Sequence, residues 1–390
     1  LFEYHFNQHM KARDYFRPAG QEKGKFIQNR FGGTIGGPIK KNKLFFFSSV
    51  GAILQRDNGG SILSLPSSTV RGGDFSAFTS TVFDPATGNS VGFGRTAFAN
   101  NRIPQGRMNS ISRKVIDLVP LPNLPGMENT NANNFFASQP FGSDRWSFDN
   151  KVNWQATDNF NAFIGWNYAS HDSTHRTAFG EGYIDGPRVG AGNAGDTWGY
   201  NNRVSSGMNY IFTPTLLMDA FFGWTRQNTN VEQPGIGENF GLDLLGIPGT
   251  NGPVRFQSGW PRFAVSGYAG FGTEEAWSPY YRNDNQYSMR SNFTSIKQKH
   301  EIRWGVDVNS EQMNHIQPEF QGGQSTGARG LFSFGNGPTQ SCLTLNASGA
   351  CSQVSLATAA ANSFGTFLLG LPTLAGKNSL NIFPYTTRTW

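Results

Sequence analysis

Apolar and polar residues alternate with period two in blocks of about ten, the length of a tilted strand that crosses a bilayer. Between Arg145 and Gln155 one side carries Trp146, Phe148, Val152 and Trp154, and the other carries Arg145, Ser147, Asp149, Lys151 and Asn153. After a turn at Ala156-Thr157-Asp158 the alternation resumes with Phe160, Ala162, Ile164, Trp166 and Tyr168, which predicts a hairpin. A second pair sets Tyr200, Val204, Met208, Tyr210 and Phe212 against Asn201, Arg203, Ser205, Gly207 and Asn209. It turns at Thr213-Pro214 into Leu216, Met218, Ala220, Phe222 and Trp224. A third runs from Tyr287, Met289 and Phe293 through Lys297-Gln298-Lys299 to Ile302, Trp304, Val306 and Val308, with Glu301, Arg303, Asp307 and Asn309 opposite. Further strands are predicted near Phe2 to Gln8, Phe26 to Ile39 and Leu44 to Gln55, with Pro38 ending its strand and a Lys-rich turn following.

Each hairpin closes within a few residues, whereas 57–144, 172–195 and 229–279 are long connections. Strict alternation of short and long is the asymmetry of a transmembrane barrel, with tight periplasmic turns at one rim and large extracellular loops at the other. A soluble sandwich rarely carries unstructured loops beyond about 12–15 residues. Aromatic rings near strand ends, such as Trp146 and Trp154 or Phe160 and Tyr168, suit interfacial girdles. The expected fold is therefore all-β, a partial antiparallel transmembrane β-barrel in the bacterial cell outer membrane, in contact with its lipid. A secreted, soluble carbohydrate-binding β-protein is disfavoured, because apolar strand faces of this length would aggregate in water.

Composition sharpens this expectation. Aromatic residues make up 14% of the 390, with 34 Phe, while charged residues reach only 15%; roughly 25% is usual for soluble domains. Mean hydropathy is nevertheless −0.44, the polarity coming from Asn, Gln, Ser, Thr and Gly. No run approaches the roughly 18 apolar residues of a membrane-spanning helix. The net charge of +6 is scattered apart from Lys40, Lys41 and Lys43, so no nucleic-acid partner is expected.

Candidate chemistry is sparse. No Lys-Ser or Lys-Thr follows Gly37 as in a phosphate loop, and Gly92-Phe93-Gly94 lacks the third glycine of a nucleotide-binding turn. Glycines 32–37 read instead as places of close backbone approach in a strand. His171 and His175 have a spacing that suits a metal only on a helix, and here it falls on a strand end; His5 and His9 share the problem. Asp74 and Asp84 read as turn-shaping residues. No catalytic residue, metal or cofactor is expected, and the chain is not read as an enzyme. Cys342 and Cys351, the only cysteines, read first as a short surface disulfide in an oxidising compartment, with two free thiols as the alternative. Ligand-binding candidates are Trp198, Trp260, Trp277, Tyr280 and Tyr281, taken as loop aromatics, against the plainer reading that the loops pack on themselves. Phe45-Phe46-Phe47 places an aromatic ring on both faces at once, and the inward one has no explanation from sequence.

Several motifs carry a family resemblance: "FEYHFNQHMKARDYF" at 2–16, "NRFGGTIGGPIKKNKLFFFSS" at 29–49, "LPSSTVRGGDFS" at 65–76, "FDPATG" at 83–88, "NRIPQGRMNSISRKVIDLVPLPN" at 101–123 and "FGTFLLGLP" at 364–372. In this order the chain resembles the Oar-like TonB-dependent receptors of Acidobacteria and related groups. The resemblance implies a plugged barrel of about 22 strands that imports a large solute with energy from the TonB complex. Residues 1–390 would then be the N-terminal part of the barrel domain, with about ten strands, and the plug, TonB box and C-terminal strands would lie elsewhere in a longer protein. The functional expectation is solute uptake. The alternative is an outer-membrane adhesin or structural barrel that binds partners through its surface loops.

Overall fold

Strand formation follows the alternation. The computed structural model describes residues 1–13, 23–127, 130–189, 195–318, 326–379 and 387–389; residues 14–16 of the first motif and Trp390 lie outside the described residues. The wall strands are β1 (Phe2–Asn7), β2 (Phe26–Lys40), β3 (Leu44–Leu63), β4 (Phe135–Thr157) and β5 (Phe160–His175). They continue as β6 (Gly195–Thr213), β7 (Leu216–Glu232), β8 (Tyr280–Lys297), β9 (His300–Met313) and the short β10 (Thr387–Thr389). Each pairs with the next in sequence, forming one antiparallel sheet whose first and last strands are not paired to each other. The barrel is open among the described residues.

The register separates two faces. One row across the sheet reads Phe46, Val152, Ile164, Ser206, Phe222, Met289 and Val308. The row one residue over reads Phe47, Lys151, Gly165, Ser205, Gly223, Ser288 and Asn309. Because directly paired residues point the same way, the first row lies on an apolar face and the second on a polar one. Trp146, Phe148, Val152 and Trp154 share the apolar face, since the ladder of β4 is unbroken from Phe141 to Gln155. On this face Ile35, Ile164, Met289, Ile302 and Val306 are each more than half exposed. An apolar surface this continuous requires a nonaqueous neighbour.

Three details differ from the sequence expectation. Strands run longer than the alternation indicated: β3 has 20 residues and β4 has 23, where about 9–11 suffice to cross a bilayer. The extra length projects beyond the membrane, where neither face is bound to alternate. Pro38 does not end its strand; β2 continues to Lys40 through a bulge between Pro38 and Lys40, a position that tolerates a residue without an N–H. The inward rings also acquire a role. A Cβ at Gly207 would lie 2.5 Å from the Phe163 ring, and one at Gly32 would lie 2.9 Å from the Phe2 ring. Polar-face aromatics therefore lie over glycines of the adjacent strand and cover backbone that a side chain would otherwise cover.

Short turns at 41–43, 158–159, 214–215 and 298–299 join strands at one end. At the other end the connections 64–134, 176–194, 233–279 and 314–386 contribute to a folded layer. Its hydrophobic core gathers Phe75, Val115, Phe179, Phe271, Phe364 and Phe367 among others. A small sheet of Leu374–Gly376, Leu331–Phe334 and Arg262–Val265 ties two of these connections together. Leu63, Phe135 and Ala137 join this core from the ends of β3 and β4, and by register all three belong to the polar face. The long connections thus fold inward, over the polar side of the wall.

Val152→Arg is expected to destabilise folding into lipid vesicles by about 2 kcal/mol or more, as for cations on the lipid face near mid-bilayer. Ser147→Arg, on the opposite face of the same strand, should cost less than about 1 kcal/mol by comparison. Denaturant titration of the two variants in the full-length protein checks the pair.

Candidate functional site

Irregular backbone can be buried only if its polar groups find partners, and in the loop layer asparagine side chains supply many of them. Asn134 accepts from the Leu65 N–H at 2.8 Å and donates to the Leu65 carbonyl at 2.7 Å. Asn251 accepts from the Gly241 N–H at 2.8 Å and donates to the carbonyls of Gln257 and Gly259. Asn362 donates to the carbonyl of Thr81, 281 residues away in sequence, and to that of Thr339. Arg71 acts similarly, donating to the carbonyls of Pro66 and Val119 at 2.9 and 2.7 Å, and burial pushes its guanidinium down to about 10. The helix Ser110–Asp117 starts at Asn109, whose side chain accepts from the Ile111 N–H at 2.8 Å, and buries Val115 and Ile116.

Asp74 and Asp84 accept from the N–H groups of Ser76 and Ala86 at 3.0 and 2.9 Å, so both shape turns. They also pair with Arg102 and Arg107 at 2.8 and 2.7 Å, and the bonds they accept hold both carboxyls below the usual range.

A charged centre lies deeper in the layer. Arg329 is fully buried and donates to the carbonyls of Ser278 and Glu275 at 2.8 and 3.0 Å. Asp185 and Glu275 surround it electrostatically. Burial lowers the Arg329 guanidinium to about 10, while desolvation raises the Asp185 carboxyl to about 7. Glu275 is also raised, first by burial and then by Glu274. The centre joins the 176–194, 233–279 and 314–386 connections.

Of the five aromatic candidates, Trp260 is buried and stacks on Phe240 with centroids 4.1 Å apart. Trp277 is half-buried in the 233–279 connection. The other three sit on strands rather than loops, because the strands extend beyond the membrane. Trp198 is on β6, on the apolar face; Tyr280 and Tyr281 open β8. The Tyr280 ring packs against His315 at 4.8 Å, and the Tyr281 hydroxyl donates to Glu232. The five do not converge on one surface. His171 and His175 lie on β5, four residues apart along a strand, and no metal-ligating cluster occurs among the described residues.

Below the loop layer the polar face carries a depression. It measures about 760 Å³, opens over Gly51, Ser147 and Ala169 and is bordered by Phe2, Tyr4, Arg30, Arg145, His171 and Asn201. An antiparallel wall with one apolar and one polar face, short turns at one end and a packed loop layer at the other is the anatomy of a membrane barrel. A family model described as the outer membrane beta barrel domain matches residues 1–390.

The chain belongs to the outer membrane beta barrel domain family.

This places the barrel in the outer membrane, where barrels of this anatomy turn their apolar face toward lipid and their polar face toward the lumen. No curated protein matches the sequence. Among solved structures, the outer membrane transporter YddB from Escherichia coli is similar at 8% identity with a TM-score of 0.37. That alignment covers 85% of this chain and 29% of the transporter, so the barrel wall described here spans under a third of that structure's length.

Cys342 and Cys351 are joined across a hairpin of Cys342–Leu345 and Cys351–Val354, with Cα atoms 5.7 Å apart, a separation that suits a disulfide. In the outer-membrane protein, thiol labelling should appear only after reduction, and the Cys342→Ser/Cys351→Ser pair should lose about 2–3 kcal/mol of local stability. Equal labelling with and without reductant would contradict this.

The charged centre yields a second prediction. Arg329→Ala removes the fully buried cation beside Asp185 and Glu275 and should cost the loop layer about 3 kcal/mol, read as faster amide exchange over 233–279. Because the folded layer holds the Asp185 proton more tightly than the unfolded chain, this group's contribution is full below the ordinary carboxylate range and declines as pH rises to about 7. Amide protection should therefore fall between pH values of about 4 and 7, and Asp185→Asn should flatten that slope. A slope of opposite sign would overturn the assignment.

Proposed function

We propose that the chain forms the N-terminal part of the barrel of a TonB-dependent receptor of the Oar-like type, which takes up a large solute. The observation that carries this reading is the loop layer. It is a cored, hydrogen-bonded structure folded over the lumenal face, not a fringe of separate loops. A barrel whose outer mouth is covered in this way does not suit free diffusion and calls for a triggered or energised passage. The ordered motifs from 2–16 to 364–372 support the same reading by resemblance. On it, a plug elsewhere in the longer protein fills the lumen and contacts the TonB complex, and the remaining strands close the wall. No catalytic step belongs to the reading, since the motif carboxylates Asp74 and Asp84 are engaged in turns and ion pairs.

A second reading, an adhesin or structural barrel, is favoured by one feature. The disulfide hairpin exposes Leu343, Leu345 and Val354, and Leu356 just after it is also exposed, in a stretch, 331–376, without a charged residue. Such a surface could seat a partner protein. Cross-linking of the full-length protein to TonB in its own cells separates the two. A TonB adduct lost on removing the sequence upstream of the barrel supports the receptor. Absence of both an upstream plug and an adduct would overturn it in favour of the adhesin.

A further inference from the structure

Cations on the lumenal wall are treated unequally. On β8 and β9, Arg290 pairs with Asp307 at 2.8 Å, and Arg282 and Arg303 pair with Asp284 and Glu301. On β2 and β4, Arg30 and Arg145 are exposed and make no ion pair among the described residues; Arg30 donates only its Nε, to Gln28 at 2.8 Å. Register places them in one lateral row, Tyr4, Arg30, Ile53, Arg145 and His171. Two strand spacings put the arginine Cα atoms about 10 Å apart.

Both arginines border the 760 Å³ depression, whose lining also includes Ile53 between them and the small residues Gly51, Ser147 and Ala169 of the neighbouring row. Asp149, the acid nearest to Arg145 along β4 on this face, is four residues away and already accepts from Asn167 at 2.6 Å. The site thus has two guanidinium groups on either side of Ile53, an imidazole beside one of them, aromatic rings at one end and a neighbouring row of small side chains. Guanidinium groups bind planar or tetrahedral oxyanions through paired N–H donors, and a depression concentrates their field.

We propose that this depression holds an anionic group, a carboxylate or phosphate, bound between Arg30 and Arg145. The proposal rests on reading the polar face as the wall of a lumen, and not on coupling to TonB. Its ligand could arrive on a diffusible solute or on an acidic segment of the same protein; the chemistry is shared.

Arginine modification by phenylglyoxal in the full-length protein, mapped by mass spectrometry, tests it, with exposed Arg113 on the helix Ser110–Asp117 as the accessible reference. Protection of Arg30 and Arg145 by citrate or inorganic phosphate, and not by neutral raffinose, identifies a diffusible anion. In that case Arg30→Gln should raise the half-protecting citrate concentration at Arg145 about tenfold, the loss of one charge-assisted contact. Protection without added anion that disappears at about 1 M salt identifies a carboxylate of the protein itself. Modification at the rate of Arg113 in all conditions, or protection insensitive to salt, overturns the proposal. Because the readout is binding, loss of TonB coupling leaves the result unchanged.

Discussion

A backbone group at hydrocarbon depth has no water to bond, so every N–H and C=O there must be paired by the protein. The rest of the structure depends on this constraint. It accounts for ladders from β1 to β9 whose only breaks, among the described residues, lie beside the short turns at Pro38, Gln155 and Ile211. Once the ladder is continuous, side chains must alternate between two solvents. Val152 and Lys151, neighbours in sequence, then face lipid and lumen. The polar face still needs cover for its own backbone, and rings such as Phe163 over Gly207 provide some of it.

Beyond the membrane the constraint changes form without disappearing. The long connections have little regular ladder, yet they bury Phe271, Phe364 and Phe367. Asn134, Asn251, Asn362, Arg71 and Arg329 take the place of strand partners by bonding the loop backbone from side chains. A side chain that bonds four backbone groups, as Asn251 does, also fixes the segments it joins. The loop layer is therefore one body with a core, and its position over the lumen makes it the structural element most directly concerned with access.

How much of this was legible in the sequence depended on which periodicity governed each region. The hairpins 145–168, 200–224 and 287–308 were readable because lipid enforces a strict alternation there. Strand ends were not, since Leu63, Phe135 and Ala137 pack under the loops, and apolarity on the inner face cancels the pattern. The loop core was hidden because its apolar residues are dispersed among Gly, Asn and Ser with no period, and its contacts span long sequence separations. Trp260 looked like a ligand platform for that reason and is a core residue. The polar turns at Asp74 and Asp84 were readable from local chemistry alone. Arg30 and Arg145 could be joined only through register, which places Ile53 between them and which no local motif records.

The central claim is that the two faces of the wall meet different solvents, and the most direct measurement is a nitroxide scan from Arg145 to Gln155 in the full-length protein in lipid. Labels at Trp146, Phe148, Val152 and Trp154 should be relaxed by oxygen, which partitions into lipid. Labels at Ser147, Asp149, Lys151 and Asn153 should respond to a water-soluble nickel complex or be shielded from both reagents. A uniform response, or oxygen accessibility centred on the Lys151 side, would contradict the assignment of the apolar face to lipid.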